Sequence, residues 1–146
     1  MREGILKALK AVNGELYAVS GTSLAKAKQF QQELGVRKAY GSPQEMLEDE
    51  KLSIVYIAAP HNAHYEWIRK ALLAGKHVFC EKSITVNSRQ LEECVSIAEE
   101  KGLVICDGTT LLHMPLYKKL RQMIDDGAIG AVKMVQVNFG SCKEYD

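Results

Sequence analysis

Short apolar runs alternate with helical stripes of apolar residues through most of this chain. The two clearest runs are Ile54–Ile57 and His77–Cys80, and polar or turn-forming residues follow each of them. Between the runs, apolar residues such as Ile68 and Leu72 recur four positions apart, which is typical of one face of a helix. This order predicts a β-α-β unit, in which a crossover helix joins two parallel strands.

The same patterns extend along the rest of the chain. The predicted helices are Arg2–Val12, Thr22 or Ser23 to Leu34, Ser42–Leu47, a segment after Pro60, Asn87–Gly102 and Pro115–Gly127. The predicted strands are Leu16–Val19, Ala39–Tyr40, Ile54–Ile57, His77–Cys80, Leu103–Cys106 and Val132–Phe139. Because strand and helix alternate from Leu16 to Gly127, we predict an α/β fold with a doubly wound parallel sheet. Val132–Phe139 is expected to be a lone strand that belongs to a second sheet.

Composition narrows the class of protein. A chain of 146 residues, 47% hydrophobic and 25% charged, suits a globular domain with a core. The formal net charge of +1, spread along the sequence, does not suggest a nucleic-acid partner. No apolar run approaches the roughly 18 residues of a membrane span, so we expect no membrane role. The well-separated cysteines predict reduced thiols and a cytoplasmic setting; they are Cys80, Cys94, Cys106 and Cys142.

Candidate chemistry follows the two central strands. In an open parallel sheet, ligands bind in the crevice at the carboxyl ends of the strands. The polar residues that would line this crevice are His61, Asn62, His64, Glu81 and Lys82. Histidines at 61 and 64 could hold a metal ion, but no third ligand stands at a suitable spacing, and we predict none. Taken alone, a lysine in the position of Lys82 is more often a solvated charge at a strand end.

Four sequence motifs resemble those of the Gfo/Idh/MocA oxidoreductase family, in the family's order, along essentially the whole chain. They are A-P-H-N-x-H at 59–64, A-G-K-H-V-x-C-E-K at 74–82, H-x-P-x-Y-x-K-L at 113–120 and D-x-G-A-I-G-x-V at 125–132. The resemblance implies a Rossmann-like NAD(P)-binding domain over residues 1–112 and the start of a substrate and oligomerisation domain over residues 113–146. It also implies that the first strand of the Rossmann sheet is missing, and that 132–139 begins the second domain.

The same resemblance assigns roles to individual residues. Lys82 matches the lysine of the family's E-K-P signature, which lies beside nicotinamide and substrate and takes part in proton transfer or orientation. Glu81 matches its neighbour near the cofactor, and His113 matches a histidine near the substrate, so Lys82 and His113 are the catalytic candidates. The residues implied in cofactor binding are Ser20, Gly21, Thr22, Ala59, Pro60, His61, Asn62, His64, Glu81 and Lys82.

The choice between NAD and NADP depends on the end of the first predicted strand. An acidic residue there would bind the ribose 2′-hydroxyl of NAD, but this chain has Ser20. Hydroxyls at Thr22 and Ser23, with Lys26 nearby, suit a 2′-phosphate instead. The preference for NADP is slight, because the arginine that many NADP-using members carry is Gly21 here.

Three departures from the family pattern qualify the functional expectation. The glycine-rich G-x-G-x-x-G turn and the downstream D-x-x-x-H segment are absent, and Ser83 replaces the proline of E-K-P. We therefore expect a truncated NAD(P)-dependent oxidoreductase that transfers hydride between nicotinamide and a sugar- or cyclitol-like alcohol or carbonyl. The alternative is a catalytically silent, self-associating fragment, and a Rossmann-like domain for another nucleotide is a third reading. Unpaired strand edges predict a homo-oligomer in either of the first two cases.

Overall fold

The computed structural model describes residues 2–138 and 140. The chain divides into two compact units, Met1–Gly108 and Thr109–Asp146. The first unit contains helices α1 (Arg2–Ala11), α2 (Leu24–Leu34), α3 (Pro43–Leu47), α4 (His61–Leu73) and α5 (Ser88–Lys101). Its strands are β1 (Ala18–Ser20), β2 (Lys38–Tyr40), β3 (Ile54–Ile57), β4 (His77–Cys80) and β5 (Ile105–Asp107). The alternation of strand and helix that the sequence predicts is confirmed.

The strands of the first unit form two parallel sheets. One sheet pairs β1 with β2, and the other has the order β3-β4-β5. The predicted Rossmann-like α/β class with parallel strands is thus present. In the part of the chain that the structure describes, β1 and β3 do not pair with each other, so the strands form two separate sheets.

The core lies between the three-stranded sheet and helices α4 and α5. Alternate residues of β3 and β4 point to one face, where they meet the apolar stripes of the two helices. The buried cluster consists of Leu47, Val55, Ile57, Ile68, Ala71, Leu72, Val78, Cys80, Cys94 and Ala98. On the opposite face of the same sheet, Ile54 is 59% exposed and Phe79 is 37% exposed. The core therefore fixes α4 against the strands from one side.

Caps set the helix boundaries where the sequence predicts them. Ser23 accepts a hydrogen bond from the Lys26 N–H at the start of α2, and Asn87 accepts one from the Gln90 N–H at the start of α5. Ser42 caps α3 in the same way. Gly102 ends α5 in the left-handed conformation, with φ of 65°.

The second unit contains a 3₁₀ turn, Thr110–His113, and helix α6, Pro115–Asp125. The predicted apolar stripe of α6 is largely exposed, with Leu116 71% and Leu120 46% accessible. Residues 132–138 make no strand pairing, although their alternation predicts a strand, because a strand needs a partner to form its ladder. Phe139, at the end of that predicted strand, lies outside the described residues. None of the helices within residues 2–138 is long and apolar enough to cross a membrane.

Candidate functional site

The carboxyl ends of β3, β4 and β5 meet at one edge of the sheet. Ile57 stands opposite Cys80, and Cys80 opposite Asp107. The hydrogen-bond ladder continues one step beyond the strands, since the Glu81 N–H donates to Ile57 O (2.9 Å) and the Gly108 N–H donates to Cys80 O (2.7 Å). The residues that follow each strand are therefore held side by side at this edge.

The carboxylate of Glu81 is fixed at this edge from two directions. The Tyr56 hydroxyl donates to Glu81 Oε1 at 2.5 Å, and the Tyr56 ring stacks on Phe79 with 5.4 Å between ring centres. A Cβ atom at Gly108 would lie 3.3 Å from both Cα and Oε2 of Glu81, so a residue without a side chain suits this close approach. Burial, and next the hydrogen bond to Glu81, raises the pKa of Tyr56, which keeps its hydroxyl a donor.

Lys82 follows directly, and its side chain is exposed while its backbone is bonded to α4. His61 Nε2 lies 2.9 Å from Lys82 O, and His64 Nδ1 lies 2.9 Å from Ser83 O. The other ring nitrogen of His64, Nε2, lies 2.8 Å from Ala59 O. His64 is fully buried, whereas His61 is exposed and its ring meets the His64 ring edge-on at 5.4 Å.

The start of α4 adds backbone donors to the same edge. Pro60 occupies the cap position and no side chain bonds to the first turn of α4, in contrast to the Ser23, Ser42 and Asn87 caps of α2, α3 and α5. Pro60 and Asn62 are exposed beside this turn. An uncapped helix start presents free N–H groups and a partial positive charge, both of which favour an anionic group.

The predicted adenosine-side residues lie at the end of the other sheet. Ser20 ends β1, and Gly21 and Thr22 lead from it to the Ser23 cap of α2. A Cβ atom at Gly21 would meet no heavy atom closer than 3.5 Å, so the backbone there leaves room for a side chain.

The structure brings some predicted residues together and leaves others apart. His61, His64, Glu81 and Lys82 share the edge of the three-stranded sheet, with Ala59 bonded to His64. Ser20 is the last residue of β1 in the two-stranded sheet and Thr22 comes after it, and the exposed His113 belongs to the second unit. The cofactor contacts of all these residues, and the catalytic roles of Lys82 and His113, stay predictions.

Sequence reasoning missed Tyr56 and Gly108 as parts of the site. A signal for Tyr56 was present, since a tyrosine near a strand end has a hydroxyl that must find a partner when it is half-buried. Gly108 follows the last predicted strand just as Glu81 follows the one beside it, and in a parallel sheet such positions are neighbours.

The described residues contain three free thiols and no cluster of metal ligands. Cys80, Cys94 and Cys106 are free; the first two are buried, and Cys106 is exposed because it lies on the uncovered face of β5. Cys142 lies outside the described residues. Across residues 2–138, no three His, Cys, Asp or Glu side chains are grouped as a metal site would require.

Parallel strands with polar residues at their carboxyl ends define the class of Rossmann-like nucleotide-binding domains. Residues 3–109 match GFO_IDH_MocA, an oxidoreductase family with an NAD-binding Rossmann fold. Because the match covers well over half of its length, this chain belongs to that family.

Relatives of known activity support the same placement. The trans-1,2-dihydrobenzene-1,2-diol dehydrogenase of Xenopus laevis is 33% identical over 136 residues, which are 93% of this chain and 41% of the relative. A dTDP-3,4-didehydro-2,6-dideoxy-alpha-D-glucose 3-reductase of Actinomadura kijaniata is 34% identical over 125 residues, 86% of this chain and 37% of the relative. This chain thus spans about two fifths of the length of these relatives.

Solved structures agree in fold. An NAD-binding oxidoreductase from Klebsiella pneumoniae superposes with a TM-score of 0.74 and 33% identity, covering 80% of this chain and 31% of the other. The open conformation of a 3-ketoreductase from Actinomadura kijaniata, in complex with TDP-benzene and NADP, gives a TM-score of 0.72 and 35% identity, with coverages of 80% and 37%.

Proposed function

We propose that the edge formed by the ends of β3 and β4 binds a nicotinamide dinucleotide, and that the whole protein is an NAD(P)-dependent oxidoreductase. The observation that carries the proposal is the Glu81–Lys82 pair. It stands at the end of a parallel strand that is buried on one face, with Glu81 fixed by Tyr56 and the backbone of Lys82 bonded to α4. A fixed carboxylate followed by a lysine with a fixed backbone, at a strand end, suits a ligand site in this fold.

The residues present fit a dinucleotide. The uncapped start of α4 offers N–H groups to a phosphate, and Pro60, His61 and Asn62 are exposed beside it. When bound, the nicotinamide supplies or accepts the hydride. Lys82, with an exposed ammonium group, donates a proton to the substrate oxygen in reduction, or orients that oxygen.

The substrate class that we propose is a sugar- or cyclitol-like alcohol or carbonyl. Relatives named as a diol dehydrogenase and as a 3-reductase of a nucleotide-linked sugar support it. We also propose that His113 contacts the substrate, and that residues 113–146 belong to a substrate and oligomerisation domain. Free thiols at Cys80, Cys94 and Cys106 support a cytoplasmic setting.

Calorimetric titration with NADPH and NADH tests the cofactor site. Wild-type chain is expected to bind in the micromolar range, and Lys82→Ala to bind more weakly. Lys101→Ala, on the far end of α5, is the matched control and is expected to bind like wild type. Absence of binding at millimolar dinucleotide would contradict the proposal.

A slight preference for NADPH is the finer proposal, based on Ser20, Thr22 and Ser23 where an acid would favour NADH. Ser20→Asp is expected to lower the affinity for NADPH relative to NADH. Gly21→Arg is expected to raise the affinity for NADPH relative to NADH, since the backbone at Gly21 leaves room for a side chain. If both variants leave the ratio of NADPH affinity to NADH affinity unchanged, the ribose end of the dinucleotide does not bind at residues 20–22.

A catalytically silent, self-associating structural module is the second candidate, and the strand edges favour it. Within the described residues, β1 pairs with β2 only and β3 with β4 only, and Ile54 at the start of β3 is 59% exposed. Open edges of this kind promote pairing between chains. Light scattering at micromolar concentration is expected to show a dimer or larger assembly, and a monomer would contradict it.

A further inference from the structure

Two histidines in the first turn of α4 contact consecutive backbone carbonyls at the candidate lysine. His61 Nε2 lies 2.9 Å from Lys82 O and His64 Nδ1 lies 2.9 Å from Ser83 O. Carbonyl oxygens only accept, so the ring nitrogens must donate. We infer that His61 and His64 form a latch that positions Lys82. This histidine latch rests on the proposed function for its effect on ligand binding, but not for its geometry.

Burial distinguishes the two members of the latch. His64 is fully buried, and both of its ring nitrogens already face backbone carbonyls, Ser83 O on one side and Ala59 O on the other. No ring nitrogen of His64 is left for a ligand. His61 is exposed and bonds through Nε2 alone, so it contributes the outer half of the latch.

The latch transmits the position of a rigid helix to the lysine. Three residues of α4, Ile68, Ala71 and Leu72, are fully buried in the core, so the helix is fixed against β3 and β4. The Glu81 N–H bond to Ile57 O holds the chain before Lys82, and the latch holds the chain after it. With its backbone fixed on both sides, the exposed side chain of Lys82 starts from one defined position.

A neutral imidazole carries one N–H, so it donates to one of two carbonyls, and only the doubly protonated ring donates to both. The latch requires the proton at Nδ1, toward Ser83 O. Two variants separate the contacts of His64. In His64→Asn the side-chain amide nitrogen takes the place of Nδ1, and in His64→Gln it takes the place of Nε2, toward Ala59 O.

The test records backbone NMR signals of residues 82–84 and the Lys82 ε-carbon signal, followed by calorimetric titration with NADPH. His64→Asn is expected to keep the wild-type signals and affinity. His64→Gln is expected to shift both sets of signals and to weaken NADPH binding by about threefold to tenfold, the equivalent of one hydrogen bond. His77→Asn is the control, because the His77 ring accepts a hydrogen bond from the Val104 N–H at the opposite end of β4.

The outcomes separate the latch from the proposed function. If His64→Gln keeps the signals of residues 82–84, or if His64→Asn loses them to the same extent, the latch is overturned whatever the affinity. If the signals follow the expected order but wild-type chain binds no NADPH, the latch stands and the cofactor proposal fails.

Discussion

The two halves of the first unit are held together by different physical means. In the half built from β3, α4, β4, α5 and β5, a cluster of buried apolar side chains fills the space between sheet and helices. In the half built from β1, α2 and β2, the buried apolar side chains among the described residues are Ala27 and Val36. The candidate lysine follows a strand of the half that has the larger apolar core. The larger core therefore lies where the candidate site needs a rigid base.

A polar cluster around Asp49 takes the place of a core in the first half. Asp49 Oδ2 accepts hydrogen bonds from Tyr17 (2.9 Å), Lys38 (2.7 Å) and Tyr40 (2.5 Å), which flank or belong to β1 and β2. Lys76, which is buried, donates to Asp49 O from the second half. The hydrogen bond from Lys38, followed by that from Tyr40, lowers the pKa of Asp49 below its ordinary value.

Truncating one leucine in each half would expose this difference most strongly. Leu72 is fully buried and Leu24 is 46% exposed. Leu72→Ala is expected to lower the free energy of unfolding by about 2–5 kcal/mol, because it leaves a cavity, and Leu24→Ala by less than about 1 kcal/mol. Urea unfolding followed by circular dichroism measures both. Equal losses would show that the two halves are packed alike.

Alkaline pH is expected to weaken the packed half. Burial is the main reason that the pKa of Cys80 rises to about 12 and that of Cys94 to about 11, from 9.0. The neutral thiols therefore stabilise the fold fully below pH 9, and this stabilisation is lost as pH rises toward the folded values. At pH 10, the ionisation of each thiol is expected to lower the free energy of unfolding by about 1 kcal/mol.

The measurement is urea unfolding at pH 8 and pH 10. A variant with both Cys80→Ala and Cys94→Ala is the control and is expected to lose less stability between the two conditions. If wild type and variant respond identically, these thiols do not titrate as their burial implies.

Acid pH is expected to act on the other half. Because the folded pKa of Asp49 is lowered, its stabilising bonds are present above the unfolded value of 3.8 and are lost as pH falls below it. In the Asp49→Asn variant at neutral pH, the backbone amide hydrogens of β1 and β2 are expected to exchange with solvent about tenfold faster than in wild type. The exchange rates of the amides in β3 and β4 are expected to change less. An equal increase in exchange rate across both sheets would contradict the difference between the two halves.

Helix caps should give the smallest contrast. The Asn87 side chain accepts from Gln90 N at 3.0 Å, and that of Ser23 accepts from Lys26 N at 3.4 Å. Asn87→Ala is expected to cost about 1 kcal/mol, and Ser23→Ala about 0.5 kcal/mol because its bond is longer. Thermal unfolding measures both losses. Equal decreases in the melting temperature of the two variants would contradict the effect that we assign to the longer hydrogen bond at Ser23.

Periodicity along the chain predicted the elements, because apolar spacing and caps are local signals. The β-α-β unit around α4 and the caps at Ser23 and Asn87 are present as expected. One expectation failed for lack of a partner: residues 132–138 of the predicted strand Val132–Phe139 make no strand pairing. Strand pairing depends on what lies alongside, and sequence patterns do not contain that information.

The location of the candidate site could be predicted from the sequence, but the hydrogen bonds between its residues could not. Strand ends indicated that His61, His64, Glu81 and Lys82 would lie together. The burial of His64 had a signal, since it stands four residues before Ile68 on the buried stripe of α4. Its bonds to Ser83 O and Ala59 O had none, because they depend on how two separate loops approach each other in space.

The central claim is that the carboxyl edge of β3 and β4 binds a nicotinamide dinucleotide. The most direct measurement is titration of the ¹⁵N-labelled chain with NADPH, followed by amide chemical shifts. If the dinucleotide binds at this edge, the largest shifts are expected on residues 58–64, 81–83 and 108. Shifts absent at millimolar NADPH, or concentrated on the opposite ends of these strands, would contradict it.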